Sequence, residues 1–248
     1  MAPLLRIRRP ALALAVLLVA TLAGCGGHAG RPSPEAGLRI VDRPVPFPQE
    51  RIDLTRAYIK EHYGLDVKSI TIVPKIIVLH WTAVPTFAGS YRAFVAPTLA
   101  GGRPDLVGAG ALNVGIQFLV DRDGTVYRLM PETWMARHVI GLNYNAIGVE
   151  NVGGAHGVPD LTPAQLRANI ELVRYLATKY RTIHYLIGHS EYRDFEGHPL
   201  WLERDKSYRT GKTDPGDAFM TAVRAGVADL RLEGPADIAR EKAAAAAK

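Results

Sequence analysis

The segment K-I-I-V-L-H, residues 75–80, decides the fold. Its continuous apolar run is typical of a strand that is buried on both faces, and such strands occur in sheets covered by helices. The run ends in a histidine, His80, where the predicted strand stops. Because ligands of α/β proteins bind beyond the carboxyl ends of the strands, a polar side chain at this point is a candidate functional group.

Four further strand segments accompany this central one. Residues 113–129 contain two β-rich segments around D-R-D-G at 121–124, a hairpin signal in which Gly124 can take a positive φ. Residues 147–151 and 183–187 are two more short apolar runs. These lengths and the turn residues between them are typical of strands.

Helices are predicted between and after these strands. Asp53 can cap a helix that ends at Tyr63. The segment T-P-A-Q at 162–165 is a capping box with proline at the first helical position, and it begins a second helix. A last helix is expected over residues 216–232. The mixture predicts a single α/β domain, with a mixed central sheet flanked by helices.

The charge of the chain lies partly at its N-terminus. The 248 residues include 30 Lys and Arg against 24 Asp and Glu, which gives a formal net charge of +6. Three arginines precede an apolar run over residues 11–22, which at about 12 residues is too short to span a bilayer and is typical of an export signal. The L-A-G-C segment at 22–25 resembles the lipobox of bacterial lipoproteins, in which the cysteine is acylated. A plain secretory signal with an incidental cysteine is the alternative.

We therefore expect four segments along the chain. They are a lipoprotein signal peptide over residues 1–24, an acylated Cys25 with a flexible tether over 25–48, a catalytic domain over 49–232, and a disordered or frayed helical tail over 233–248. Gly26 follows the cysteine, where an aspartate would resemble the inner-membrane retention signal. The expected location is thus the bacterial cell envelope, through a lipid anchor in the outer membrane that faces the periplasm.

Composition also excludes several classes of protein and site. A single cysteine excludes an internal disulfide framework and any multi-cysteine zinc or iron–sulfur site. Without the arginines of the signal the mature chain carries a charge of about +3, and no basic stripe interleaved with aromatic residues remains. No nucleic-acid partner is therefore expected.

Two histidines and one aspartate are candidates for a metal site. His80 and His189 each stand at the end of a predicted strand, and Asp214 lies in K-T-D-P-G at the entrance to the last helix. Two imidazoles and one carboxylate make a three-ligand zinc site with a fourth position open for water. The residues alone leave other interpretations open, namely histidines that bond to backbone carbonyls and an aspartate that caps a helix.

Five segments of the chain resemble, in order, the zinc-dependent N-acetylmuramoyl-L-alanine amidases of the peptidoglycan-recognition-protein fold. They are I-V-L-H-W-T at 77–82, F-L-V-D-R-D-G-T-V-Y at 118–127, N-A-I-G-V-E at 145–150, G-H-S-E-Y at 188–192 and K-T-D-P-G at 212–216. The resemblance extends over about residues 50–220. It implies that fold, one Zn²⁺ per chain, and hydrolysis of the amide bond between N-acetylmuramic acid and L-alanine in peptidoglycan or muropeptides.

The resemblance also implies roles for individual residues. His80, His189 and Asp214 would be the metal ligands, Glu150 the catalytic acidic residue, and Lys212 the lysine beside the metal. A carboxylate in this place can orient water, accept its proton and pass it to the leaving amine. An ammonium group can stabilise the oxyanion of the tetrahedral intermediate.

The chain departs from the family's pattern between the second histidine and the aspartate. This segment is longer than in closer members, and the insertion at 190–211 is expected to form a loop over the cleft. Trp201 in the insertion would stack on a sugar ring. His198 is a competing candidate for the metal, but Asp214 is kept as the ligand and His198 is expected to be an ordinary surface histidine. His138, in M-A-R-H, is expected to contact substrate near the cleft, or else to be a hydrogen-bonded structural histidine.

Two other functions remain open at this point. One is a non-catalytic module of the same fold that binds peptidoglycan, and the other is a zinc peptidase that acts on the stem peptide. Export suits all three functions, because peptidoglycan lies outside the cytoplasm. The residues do not distinguish intact walls from anhydro-muropeptides as the substrate.

Overall fold

A six-stranded sheet forms the centre of the protein in the computed structural model, which describes residues 38–99, 106 and 108–247. Its strands are β1 (Ile40–Asp42), β2 (Ile76–Trp81), β3 (Phe118–Val120), β4 (Val126–Arg128), β5 (Ala146–Asn151) and β6 (Tyr185–Gly188). They lie in the order β1-β4-β3-β5-β2-β6, and every neighbouring pair is parallel except the antiparallel β3–β4 hairpin. The predicted mixed α/β architecture is confirmed.

The predictions for the N-terminal segment concern residues that the structure does not describe. The expected signal peptide, Cys25 and the tether up to residue 37 lie outside the described residues. Where the structure does describe helices, none combines the length and the apolar character needed to cross a bilayer. Lipid attachment at Cys25 therefore stays a prediction.

Strand β2 lies in the interior of the sheet. It pairs with β5 on one side and β6 on the other, and all six of its residues are buried. Successive side chains of a strand point to opposite faces. Ile76 and Val78 accordingly pack into one core cluster, while Ile77 and Leu79 pack into a second. The predicted burial on both faces is confirmed.

Helices cover both faces of the sheet. They are α1 (Gln49–Tyr63), α2 (Phe87–Val95), α3 (Pro163–Lys179), α4 (Asp217–Gly226) and α5 (Pro235–Ala246). Residues of α1 and α5 share a core cluster with Val78, and residues of α3 and α4 share the other with Leu79. The predicted capping box is present, since the Thr162 hydroxyl accepts from the Gln165 amide nitrogen and the Gln165 side chain accepts from the Thr162 amide nitrogen.

Two segments outside the expected domain are part of the fold. Ile40–Asp42, expected in the tether, form the edge strand β1, and Asp42 accepts two hydrogen bonds from the Arg128 guanidinium at 2.7 and 3.0 Å. The expected tail contains α5, in which Ile238 is fully buried. The Tyr185 hydroxyl also donates to Glu241 of this helix at 2.9 Å. The domain therefore extends beyond residues 49–232 in both directions.

We predict that α5 stabilises the domain through Ile238. Replacing a fully buried isoleucine by alanine leaves a cavity and typically lowers the free energy of unfolding by about 2–5 kcal/mol. Urea denaturation of Ile238→Ala should show a loss in this range. The control is Ala244→Ser on the exposed part of the same helix, which should unfold like the wild type. Equal stability of Ile238→Ala and wild type would show that α5 is not part of the folded unit.

Candidate functional site

The site forms where three adjacent parallel strands end. His80 on β2 lies opposite Glu150 on β5, and Leu79 lies opposite Gly188, the last residue of β6. His189 follows Gly188 directly and begins a 3₁₀ segment, His189–Phe195. The parallel register therefore carries two imidazoles and one carboxylate to one edge of the sheet, as the strand-end positions predict.

Asp214 completes a tight triangle with the two histidines. The Nδ1 atoms of His80 and His189 are 2.9 Å apart, and Asp214 Oδ2 lies 3.2 Å from the first and 3.1 Å from the second. All three side chains are buried. Among the described residues, they form the one group of His, Cys, Asp and Glu side chains placed to hold a metal ion.

The donor set of this triangle fits zinc. Zinc takes imidazole nitrogen and carboxylate oxygen at about 2.0–2.2 Å, and an ion at that distance from each atom can cap a triangle of this size. Three atoms with lone pairs converge here on buried side chains, an arrangement that a cation stabilises. The fourth side of the ion would face the cleft described below.

The electrostatics of the pocket favour the metal-binding forms of these groups. Burial, reinforced by the neighbouring His189 and opposed by Asp214, lowers the pKa of His80 to about 4. Burial raises the pKa of Asp214, but the charge of His189 and hydrogen bonds with both histidines bring it well below its usual range. At neutral pH His80 is therefore a neutral imidazole and Asp214 an anion, the states in which these side chains bind metals.

The triangle opens into a cleft of about 440 Å³. Glu150 and Lys212 are half-buried and line this cleft together with His138, His189 and Asp214. Beside the larger effect of burial, the nearby charge of Lys212 also lowers the pKa of His80. Other lining residues include Trp81, Thr82, Ser90, Phe94, Arg137, Tyr208 and Thr210.

A model of the N-acetylmuramoyl-L-alanine amidase family matches residues 71–217, a range that contains the triangle, Glu150 and Lys212. The chain belongs to this family. The endolysin of Escherichia phage T7 is 39% identical to it over 75 residues, which are 29% of this chain and 50% of the phage protein. The endolysin of Klebsiella phage KP32 is 40% identical over the same extents. The chain thus spans half the length of these curated relatives.

Solved structures of similar proteins include further endolysins. The N-acetylmuramoyl-L-alanine amidase LysCS from Clostridium intestinale URNW covers 77% of this chain and 97% of its own, with 22% sequence identity and a TM-score of 0.45. The Ph2119 endolysin from a Thermus scotoductus bacteriophage covers 76% and 98%, with 23% identity and a TM-score of 0.42. Both likenesses extend over most of the described part of this amidase-family chain.

The structure does not bring Trp201 or His198 of the insertion into the cleft. The Trp201 ring stacks on Tyr192 at 6.0 Å between centroids, and the Arg209 guanidinium lies 4.7 Å from its centroid. The Nε2 atom of His198 lies 3.1 Å from a carboxylate oxygen of Glu241 in α5. His198 is therefore not among the side chains that converge on the metal triangle. Trp201 is half-buried against Tyr192 and does not line this cleft, and sugar stacking by its ring stays a prediction.

A different part of the insertion reaches the cleft. Tyr208 and Thr210 line it, and two hydrogen bonds hold the backbone of Thr210. The Tyr192 hydroxyl donates to the Thr210 carbonyl oxygen at 2.8 Å and accepts from its amide nitrogen at 3.0 Å. Earlier in the insertion, Glu203 contacts helix α1: both of its carboxylate oxygens lie 3.0 Å from Nδ1 of His62. The insertion is thus a fixed wall of this amidase-family cleft.

Arg137 is a cleft residue that the sequence analysis overlooked. It is 3% exposed, and its guanidinium donates to the carbonyl oxygens of Leu106, Gly110 and Leu112 and to the Tyr208 hydroxyl. A buried charge is costly without such partners. An arginine within the largely apolar stretch M-A-R-H-V-I at 135–140 could have indicated a buried, functional charge. Arg137 joins two chain segments that line the same cleft.

We predict that Tyr208→Phe weakens the contact between Arg137 and the insertion and lowers the free energy of unfolding. The Arg137–Tyr208 bond is 3.0 Å long and buried, and removing the hydroxyl leaves a buried charged donor short of one acceptor. Such a loss typically costs about 1–3 kcal/mol. The measurement is the free energy of unfolding in urea. Tyr91→Phe, which removes a hydroxyl bonded to the Pro44 carbonyl at an exposed site, is the control and should lose less. Equal losses in the two variants would contradict the prediction.

Proposed function

We propose that the protein is a zinc-dependent N-acetylmuramoyl-L-alanine amidase, which hydrolyses the bond between N-acetylmuramic acid and L-alanine in peptidoglycan or muropeptides. The observation that carries the proposal is the buried triangle of His80, His189 and Asp214 at the floor of a cleft that Glu150 and Lys212 also line. Membership of the amidase family supports the choice of bond, and the phage relatives bear the name endolysin.

The donor set supports zinc as the metal. Hard cations such as Mg²⁺ and Ca²⁺ take oxygen ligands, whereas two of the three donors here are imidazole nitrogens. His80 and His189 would bind through Nδ1 and Asp214 through a carboxylate oxygen. A zinc ion held there supplies a Lewis acid that polarises a carbonyl and activates water near neutral pH.

The chain's own residues supply the proton transfer and the charge stabilisation. Glu150 lies opposite His80 on the adjacent strand and faces the cleft, where its carboxylate can accept a proton from the attacking water and give it to the leaving amine. Lys212 lies two residues before Asp214 in the same cleft. Its ammonium group would stabilise the negative oxygen of the tetrahedral intermediate, an effect worth on the order of 10²–10³ in rate.

The test is digestion of purified peptidoglycan by the zinc-loaded protein, followed by mass spectrometry of the products. Wild type should release free peptides that begin with L-alanine. Glu150→Gln should keep its zinc and lose about 10²–10⁴-fold in rate, because only the proton acceptor is removed. Asp214→Ala should lose both zinc and activity, while Asp217→Ala, an exposed aspartate three residues later, should behave like the wild type.

Two results would contradict the proposal. Stoichiometric zinc in the wild type without any peptide release would indicate a non-catalytic binding module. Shortened peptides that remain attached to the sugar would indicate a peptidase that acts on the stem. The mass of the released fragment separates both outcomes from amide hydrolysis.

We also propose that Cys25 is acylated and anchors the protein in the outer membrane, facing the periplasm. The L-A-G-C segment at 22–25, directly after the apolar run, supports this location. In a bacterial host, full-length protein should incorporate labelled palmitate and fractionate with outer membranes, because buried acyl chains provide the binding energy. Cys25→Ser should lose both properties. A Cys25→Ser protein that is still exported and cleaved like the wild type, with no label on either, would indicate a plain secretory signal.

A further inference from the structure

His138 contacts His80 on the side of the ring opposite the ligand triangle. The Nδ1 atom of His138 lies 3.0 Å from Nε2 of His80, and the two rings meet edge to face at 80°. The other nitrogen of His80, Nδ1, lies in the triangle with His189 and Asp214. Both nitrogens of the His80 ring are therefore engaged, one with the ligand triangle and one with His138.

Hydrogen-bond chemistry assigns a direction to this contact. An imidazole that offers the Nδ1 lone pair to a metal must carry its proton on Nε2. That Nε2 proton of His80 points at Nδ1 of His138, which must then be the acceptor. Ligating histidines are commonly fixed in this way, by a partner that accepts the proton of the second ring nitrogen.

The surroundings of His138 are built to hold the ring in this position. Gly148 on β5 faces it. A Cβ atom added at Gly148 would meet Ile116 Cδ1 and would also lie 2.8 Å from Nδ1 and 2.9 Å from Cε1 of the His138 ring, so that both side chains or the strand would have to move. The Asn143 side-chain oxygen accepts hydrogen bonds from the backbone nitrogens of His138 and Val139 at 2.8 and 2.7 Å. The space at Gly148 and the hydrogen bonds from the backbone to Asn143 thus favour one position of the His138 ring.

We propose that His138 is a positioning residue for the metal site: its Nδ1 accepts the Nε2 proton of His80 and fixes the tautomer and ring orientation in which His80 Nδ1 faces the ion. The inference rests on the zinc site of the proposed function, and does not depend on which bond the enzyme cuts. Gly148 leaves room beside the sheet for the His138 ring and for the Ile116 side chain.

The test compares zinc affinities of purified variants by competition with a chromogenic chelator. His138→Leu removes the acceptor, and loss of such a partner typically weakens metal binding about 10–100-fold. His138→Asn keeps an oxygen acceptor near the place of Nδ1 and should stay within a few-fold of wild type. The control is His184→Leu, which removes an exposed histidine and should leave the affinity unchanged.

Gly148→Ala probes the same contact from the other side. The added methyl group should displace the His138 ring as well as the end of the Ile116 side chain, and so weaken zinc binding. The loss of affinity should be much smaller in a His138→Leu background, since coupled residues are non-additive. The visible spectrum of Co²⁺-loaded His138→Leu should also change, because the orientation of one ligand is no longer fixed. Urea denaturation of the metal-free proteins separates these effects from a general loss of stability.

The proposal fails if His138→Leu binds zinc as tightly as the wild type. It also fails if His138→Asn and His138→Leu lose affinity equally while their metal-free stabilities match that of the wild type, because the acceptor would then be irrelevant. A wild type that binds no zinc overturns this proposal and the proposed function together. A wild type that binds zinc without cutting peptidoglycan overturns the proposed function alone, and the affinities of the variants still decide the role of His138.

Discussion

The parallel register of β2 with its two neighbours is the constraint on which the site depends. It sets His80 opposite Glu150 and Leu79 opposite Gly188, so that three strands deliver their functional side chains at one edge. A slip of one residue would turn each side chain to the other face of the sheet. Because β2 carries apolar residues on both faces, its sequence does not show an alternation of polar and apolar residues that would specify the register. Positions where two elements pack closely are a second means of specifying it. At Gly188 an added Cβ would lie 2.9 Å from Pro215 Cδ, beside Asp214, which ties the end of β6 to the third ligand.

The third ligand comes from a distant part of the chain, and its placement needs support of its own. His189 and Asp214 are 25 positions apart, yet the Ser190 amide nitrogen donates to the Asp214 carbonyl oxygen at 2.9 Å. The insertion between them therefore leaves the ligand site and returns to it, with both ends joined by that bond. A buried carboxylate would be costly alone, but hydrogen bonds with both histidines keep Asp214 ionised. The same pairing keeps the three ligand atoms close enough for one ion.

Much of the fold could be predicted from the sequence because it has strong local signals, whereas the roles of the site residues followed from the resemblance of five segments to the amidase family. The apolar run at 75–80, the D-R-D-G turn and the T-P-A-Q capping box all form the elements expected of them. The edge strand β1 and the helix α5 could not be found in this way. A three-residue strand has no measurable period, and α5 is largely alanine with Ile238 as its one fully buried anchor. The role of Trp201 could not be derived from the sequence, because an aromatic ring in a polar insertion looks the same whether it faces substrate or packs on Tyr192.

Stability and specificity meet in the same residues of the cleft wall. Tyr208 lines the cleft and also accepts a hydrogen bond from the buried Arg137, which in turn holds three backbone carbonyls of the facing segment. The buried Nε atom of Arg137 has no hydrogen-bond partner among the described residues, so the guanidinium has no acceptor to spare. A change at Tyr208 that altered substrate contacts would therefore leave Arg137 short of a partner. Thr210 differs, because the Tyr192 hydroxyl holds its backbone while its side chain is not part of that clamp. Variation in substrate preference should thus be tolerated more readily at Thr210 than at Tyr208, since only the second position couples the shape of the cleft to the folding of the domain.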